Sequence, residues 1–292
     1  MRVTALTAGE LRRHPLPPVE PGDKDSHGRL LVVAGTCEIA GPARICANAA
    51  MRAGAGKIGI ATVASVAPQL GMAVPEARVF AMPETRDGSL APSAVARIAE
   101  LTADYDAVVA GPGMVATPVV TRLAAMLCGS GLPVALDAAL LHGLAPAAAA
   151  ARTADVPPVL LPHSREMASL LGCSEEEAKA DPLGHGREAA RRYQAIVLAK
   201  GPQSHVVTPD GRGWRYRGGG PGLGISGSGD TLAGIVGGLL ARGAEPLTAL
   251  LWGVWLHGEA GARLAKKIAP IGFLAREISA EVPALLAKVE SP

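Results

Sequence analysis

The stretch Gly218-Gly-Gly-Pro-Gly-Leu-Gly-Ile-Ser-Gly-Ser-Gly-Asp230 runs directly into Thr231-Leu-Ala-Gly-Ile-Val-Gly-Gly-Leu-Leu240, a glycine loop opening an apolar, helix-like segment. Seven of the thirteen residues from Gly218 to Asp230 are glycine. Each loses more conformational entropy on folding than another residue would, a cost that a plain connection does not need. A loop of this kind presents unpaired backbone N–H groups at the positive end of a helix dipole, the arrangement that cradles a phosphate. With Gly229 or Asp230 as the expected N-cap, the Asp230 carboxylate has two competing uses. It ties down the first-turn amides, or it takes a proton from a substrate held beside the anion.

Upstream of that loop, short apolar runs alternate with helical patterns. Strands are predicted at Arg29–Ala34, Lys57–Val63, Arg78–Ala81, Tyr105–Ala110, Pro133–Leu136, Pro158–Leu161 and Ile196–Ala199. Between them helices are predicted at Gly41–Ala53, from about Ala64, and at Pro92–Leu101, Thr117–Cys128, Ser164–Leu171 and Leu183–Tyr193. Runs such as Arg29-Leu-Leu-Val-Val-Ala34 lack polar alternation, as expected of strands buried on both faces. Strands and helices in this rhythm give an α/β chain with a mostly parallel sheet between helical layers. After Lys200 the rhythm changes. Ser204–Thr208 and Gly213–Arg217 flank Pro209-Asp-Gly-Arg212 and read as a β-hairpin leading into the glycine loop. Helices at Thr231–Arg242, Pro246–Lys267 and Arg276–Lys288 close the chain. Neither an internal repeat nor a composition break separates a second domain, so residues 1–292 are expected to form one domain, with residues 1–25 an irregular, proline-rich arm.

Composition narrows the function classes. Of 292 residues, 49% are apolar and only 3% aromatic, so the core must be close-packed aliphatic layers. A net charge of +2 with dispersed basic residues does not describe a nucleic-acid surface. Met1–Pro18 lacks an apolar signal-peptide region, and the Thr231–Ala241 run is about half the ~20 residues that span a bilayer. Cys37, Cys46, Cys128 and Cys173 form no Cys-x-x-Cys pair and read as small buried residues in a reducing environment. A cytoplasmic protein without membrane or nucleic-acid partners is expected.

In open α/β sheets ligands gather at the carboxyl ends of the strands. At those ends lie Gly35-Thr36, Gly111-Pro112-Gly113, Asp137, Pro162-His163 and Lys200-Gly201. His163 either contacts a substrate or caps its helix, and Glu166, in the following turn, reads as a capping residue. Lys200 either reaches a nucleotide phosphate or is a solvated surface lysine. Asp137 contacts a polar ligand or holds its turn. His257 and Glu259, two apart on a helix, do not face each other. There is no His-Glu-x-x-His metal motif, no nucleophile elbow and no Walker A sequence, and the first strand lacks a Gly-x-Gly-x-x-Gly fingerprint.

Taken in order, these motifs resemble the ADP/ATP-dependent NAD(P)H-hydrate dehydratases, a family with a ribokinase-like, three-layer α/β/α fold. The resemblance runs from about His27 to Ala265. It rests on His27-Gly28-Arg29, Gly35-Thr36, Ala40-Gly41-Pro42-Ala43, Arg52-Ala53-Gly54-Ala55-Gly56, Gly111-Pro112-Gly113, Leu136-Asp137-Ala138, Pro162-His163-Ser164-Arg165-Glu166, Lys200-Gly201 and Gly227-Ser228-Gly229-Asp230-Thr231-Leu232-Ala233-Gly234. It implies an enzyme that converts (6S)-NAD(P)H-hydrate to NAD(P)H at the expense of ADP, releasing AMP and phosphate, with Mg²⁺ neutralising the phosphates. Asp230 would be the base, with the Gly227 to Gly229 amides on the transferred phosphoryl group. Lys200, Gly201, Pro202, Gln203, Ser204 and Gly229 would lie along the nucleotide. Gly41, Pro42, Gly111, Gly113, His163 and Asp230 would face the hydrated dinucleotide. The family's frequent tetramers imply a homo-oligomer.

Four positions depart from the family pattern: no lysine stands between His27 and Gly28, Val115 replaces a glycine, Leu161 replaces a threonine, and Gly220-Pro-Gly-Leu-Gly-Ile-Ser-Gly227 replaces Asn-Pro-Gly-Met-Ala-Thr-Gly-Gly. They leave open two other readings, a ribokinase-like kinase acting on a vitamin-precursor alcohol and a nucleotide-binding protein of the same fold without turnover.

Overall fold

Ten strands form one sheet in a computed structural model describing residues 3–18, 22, 24–145 and 147–290. They are β1 (Val3–Ala5), β2 (Arg29–Val33), β3 (Lys57–Val63), β4 (Ala77–Met82), β5 (Ala107–Ala110), β6 (Val134–Leu136), β7 (Val159–Leu160), β8 (Ile196–Ala199), β9 (Ser204–Val207) and β10 (Gly213–Tyr216). Their spatial order is β1-β10-β9-β8-β7-β6-β5-β2-β3-β4. Pairing is antiparallel only where β9 meets β8 and β10, so the predicted hairpin is present and the rest of the sheet is parallel.

The apolar runs are continuous because both faces are covered. Along β2, Leu30 and Val32 enter one core layer and Leu31 and Val33 the other. The first layer is closed by the helices Gly41–Arg52, Ser228–Ala241 and Pro246–Lys267, the second by Pro118–Cys128, Ser164–Leu171 and Pro182–Tyr193. This is the expected α/β/α arrangement. In the first layer, Cβ atoms on Gly234 and Gly238 would run into the backbone of the Gly41–Arg52 helix at Cys46 and Ala50. Glycine at this spacing on one helical face lets the two helices touch backbone to backbone.

The amino-terminal segment corrects an expectation. Val3–Ala5 pairs parallel with β10, and Ala8–Leu11 forms a helical turn capped by the Thr7 hydroxyl, which accepts from the Glu10 N–H at 3.2 Å. The Trp252 indole N–H donates to the His14 carbonyl at 2.7 Å, so this part of the arm is fastened to the core rather than irregular. Residues 1, 2, 19–21 and 23 of the same expectation lie outside the described residues. The helix expected from about Ala64 begins at Ala67. The stretch after Leu136 holds two short helices, Ala139–Leu144 and Ala148–Arg152, that the sequence pattern did not resolve.

Strand order reverses at β2, which lies between β3 and β5. The crevice at the carboxyl ends of β2 and β5 is therefore the topological switch point where ligands of open α/β sheets bind.

Candidate active site

The Ser228–Ala241 helix takes Gly227, not Gly229 or Asp230, as its N-cap. Gly227 has φ 90°, and a Cβ there would press Ile45 Cδ1 at 2.8 Å and Ala275 Cβ at 2.9 Å, so a side chain would be both strained and crowded. No side chain caps the helix. The Ser228 N–H is used by the Ile225 carbonyl at 3.2 Å, which removes one of the three amides expected to face a phosphate. Among the described residues the amides of Gly227, Gly229 and Asp230 have no protein acceptor. The Asp230 carboxylate likewise accepts no protein hydrogen bond. It does not cap; Thr231 instead uses its hydroxyl to bridge the Gly227 and Ala275 carbonyls, both at 3.1 Å.

Beside this helix head stands a buried ion pair. Lys200 Nζ, at the end of β8, donates to Asp137 Oδ1, at the end of β6, across 2.8 Å, with the two side chains 20% and 5% exposed. A Cβ on Gly229 would lie 3.7 Å from Lys200 Nζ and 3.8 Å from Asp137 Oδ2, so the pair sits over the free amides. Burial pushes the Asp230 carboxyl up to about 6, with the Asp137 and Glu166 charges adding and the Lys200 ammonium opposing. Glu166 is raised for the same first reason, burial, with Asp137 adding and Lys200 opposing. Burial alone would lower Lys200, but Asp137, Glu166 and Asp230 outweigh it and the ammonium is held above its ordinary value. A carboxylate poised near neutrality, beside a fixed cation and free amides, can accept a proton while a phosphoryl group is held.

The amides and the cation open into a cleft of about 850 Å³ lined by His163, Lys200, Gly201, Pro202, Ser204 and Gly229 among the expected residues. Gln203 is exposed and does not line it. His163 is the N-cap of its helix, its Nδ1 accepting from the N–H groups of Arg165 at 3.1 Å and Glu166 at 3.3 Å. Glu166 returns the contact by accepting from the His163 N–H at 2.9 Å, so the capping role read for Glu166 is present. With Nδ1 occupied as an acceptor, the proton of a neutral His163 is on Nε2, 3.3 Å from Glu166 Oε1.

Gly41, Pro42, Gly111 and Gly113 lie outside that cleft, at the switch point. Gly113 has φ 65°, and a Cβ there would lie 2.6 Å from the Ile39 carbonyl and 3.0 Å from Pro42, so only glycine lets the turn after β5 close on the segment after β2. A Cβ on Gly111 would overlap the Asp137 carbonyl, which ties this turn to the ion pair. The expected nucleotide and substrate groups thus meet through Asp137, Lys200 and Gly229.

Sequence reasoning missed the cleft's far wall. Tyr216 lines it with its hydroxyl donating to Glu259 at 2.9 Å, and His257 Nε2 meets the Ser228 Oγ at 3.0 Å. Burial, with Lys200 adding and Ser228 opposing, pushes the His257 imidazole down to about 4, so it is neutral at physiological pH. Only the placement of Tyr216 at the hairpin end, two residues before Gly218, hinted at this wall.

The sequence model of the NAD(P)H-hydrate dehydratase family matches residues 30–284. The ADP-dependent (S)-NAD(P)H-hydrate dehydratase of Xanthomonas campestris is 43% identical over 286 residues, covering 98% of this chain and 96% of that one. The chain spans about half of bifunctional NAD(P)H-hydrate repair enzymes such as that of Moorella thermoacetica, at 34% identity, 92% of this chain and 51% of that one. The crystal structure of the Bacillus subtilis ADP/ATP-dependent NAD(P)H-hydrate dehydratase, co-crystallised with ATP and Mg²⁺, superposes with a TM-score of 0.84 at 27% identity, covering 99% of this chain and all of that one. With a matching family model over most of its length and a near full-length relative at this identity, the chain belongs to the NAD(P)H-hydrate dehydratase family and has its ribokinase-like fold.

Proposed function

We propose that the protein dehydrates (6S)-NAD(P)H-hydrate to NAD(P)H, with ADP converted to AMP and phosphate. The observation that carries the reading is Asp230, unpaired and held near neutrality at a helix head whose flanking amides are free. The substrate hydroxyl gives its proton to Asp230 and forms a bond to the terminal phosphorus of ADP as the bond to AMP breaks. Phosphate then leaves with the carbon–oxygen bonding pair, and loss of an adjacent ring proton restores the nicotinamide double bond. Positioning and electrostatics supply most of the rate in such a transfer. Lys200, Gly201, Pro202, Ser204 and Gly229 would hold the nucleotide, with Gln203 contributing from the rim. Gly41, Pro42, Gly111, Gly113 and His163 would hold the hydrated dinucleotide.

Mg²⁺ fits as an ion carried on the nucleotide. Among the described residues no group of three His, Cys, Asp or Glu is arranged to hold a metal alone, and Mg²⁺ binds mainly through phosphate oxygens and water in such sites. It would neutralise phosphate charge.

One domain spanning the chain, a reducing cytoplasmic setting and a homo-oligomer complete the reading. The four cysteines are free, no helix of the described residues is long and apolar enough to cross a membrane, and Ile268, Ile271 and Leu274 expose apolar surface within one short segment. The function is tested by incubating the protein with hydrated NADH, Mg²⁺ and either ADP or ATP and following NADH absorbance. Recovery with ADP is expected. No recovery with either nucleotide would overturn the reading, and a stable phosphate ester of an added alcohol would favour the kinase.

A further inference from the structure

The Asp137–Lys200 pair is built with more constraint than an ordinary ion pair. Asp137 continues the ladder of β6 by donating its N–H to the Ala110 carbonyl at 3.0 Å, and its own carbonyl accepts from Leu140 at 3.2 Å. Gly111 presses on that carbonyl so closely that no side chain fits between them. The next residue, Ala138, is held at φ 48° and ψ −121°, one of two non-glycine residues with positive φ among those described. Strain of this sort costs roughly 1–3 kcal/mol and persists only where the surroundings impose it. The Asp137 carboxylate is thereby fixed at the strand end, and with it the Lys200 ammonium, which makes no ion pair with Asp230.

We propose that Asp137 is a positioning residue of the transfer: its carboxylate holds the Lys200 ammonium over Gly229 and off Asp230, so that Lys200 meets the phosphate while Asp230 meets the substrate hydroxyl unpaired. The inference rests on the dehydratase reading. Without the Asp137 charge, Lys200 is free to turn to the nearest remaining carboxylate, and Asp230 loses a neighbour of like sign. Both changes favour the ionised form of Asp230 and make it a weaker, partly occupied base.

Among the described residues, the charges acting on Asp230 are Asp137 and Lys200 from the sheet and Glu166 from the head of the Ser164–Leu171 helix, where His163 Nε2 lies 3.3 Å from Glu166. The Gly41–Arg52 helix brings the buried Cys46 thiol, raised by burial and by the Asp230 charge. The Pro246–Lys267 helix brings neutral His257, engaged by Ser228. On the Ala275–Ile278 turn, Arg276 is exposed and Glu277 accepts from the Leu274 N–H.

The test compares Asp137→Asn and Lys200→Gln by pH profiles of kcat, by calorimetry of ADP binding, and by NMR titration of ¹³C-labelled aspartate carboxyls. Asp137→Asn is expected to lower kcat about 10–100-fold and to move its acid limb, and the Asp230 titration, down by about one pH unit. Lys200→Gln, which leaves two like charges side by side, moves both upward. An acid limb and an Asp230 titration unmoved in both variants would overturn the proposal, since a purely structural role lowers activity without shifting either. If Asp137→Asn does not fold, Lys200→Gln still decides the direction. Should the wild type prove inactive on hydrated NADH, the functional reading fails, while the Asp230 titration in the two variants still tests the positioning role.

Discussion

Replacing Asp230 with Asn separates a base from a cap by their opposite effects on stability. In the fold, burial lifts the Asp230 carboxyl from an ordinary 3.8 to about 6, so its ionised form is disfavoured by the folded state. A displacement of that size corresponds to ~3 kcal/mol as an upper bound. The sign follows from linkage: a raised carboxyl stabilises the fold at low pH, where it is protonated, and that stability is lost as the pH rises from the unfolded value through about 6. At pH 7.5 the carboxylate is therefore a net liability, only partly offset by ~0.3–1 kcal/mol from its place in the first helical turn. An Asn keeps the shape and removes the charge. Allowing for imperfect accommodation of the amide, Asp230→Asn is expected to gain ~1–2 kcal/mol at pH 7.5, a few degrees in Tm for a chain of this size. Near pH 4 the gain disappears. Turnover falls by at least ~10³, while ADP binding stays within about tenfold because the backbone amides remain. Calorimetric melts at the two pH values, NADH recovery assays and calorimetric titration with ADP measure the three. A variant destabilised at pH 7.5 by ~1 kcal/mol, as loss of a cap would produce, with near-wild-type turnover, would refute the argument.

Three glycine and polar positions supply further checks. Gly234→Ala would drive a methyl into the Cys46 carbonyl, costing ~1–3 kcal/mol or more, read as a lower Tm. Gly41→Ala meets nothing within 4 Å and occupies the first helical turn, so Tm holds or rises, whereas the proposed contact of Gly41 with the hydrated dinucleotide predicts a higher KM for hydrated NADH. Ser228→Ala removes the hydrogen bond to the part-buried His257 Nε2 and is expected to cost about 1 kcal/mol, measured by urea unfolding.

The parallel strands were legible because each is buried on both faces and reads as an unbroken apolar run; Arg29–Val33 and Ile196–Ala199 could hardly be anything else. Val3–Ala5 was not legible, since three residues carry no period and only pairing with β10 defines them as a strand. The Glu175–Ala180 helix did carry a signal, the capping box of Ser174 and Glu177, which the neighbouring helical patterns obscured. At the site, Lys200, His163 and Gly229 stood out because strand ends and helix heads are where ligands gather. The Lys200–Asp137 pair spans 63 residues and the Ser228–His257 contact 29, and no local pattern encodes either.

The same geometry sorts the departures from the family pattern by how near they lie to the chemistry. Gly28 precedes β2 and packs against the Ala241 carbonyl at the far end of the Ser228–Ala241 helix. The segment without the family lysine is thus at the amino end of the strand, across the sheet from the carboxyl-end crevice. Leu161 is buried in the first core layer, on the face of the sheet opposite the Ser164–Leu171 helix that His163 caps. Val115 is 41% exposed beside the Gly111–Gly113 turn, while the close approach to Ile39 and Pro42 is made by Gly113, which is retained. Of these three only Val115 lies beside the crevice proposed to take the hydrated dinucleotide, where it alters a rim rather than a backbone contact; the fourth departure, Gly220–Gly227, lines the cleft itself through Gly220, Pro221, Gly224 and Ile225. Val115→Gly is accordingly expected to change KM for hydrated NADH without changing kcat, as removal of uniform binding does. A change in kcat with KM constant would place residue 115 in the transition state's surroundings and reopen the question of which substrate this crevice was shaped to hold.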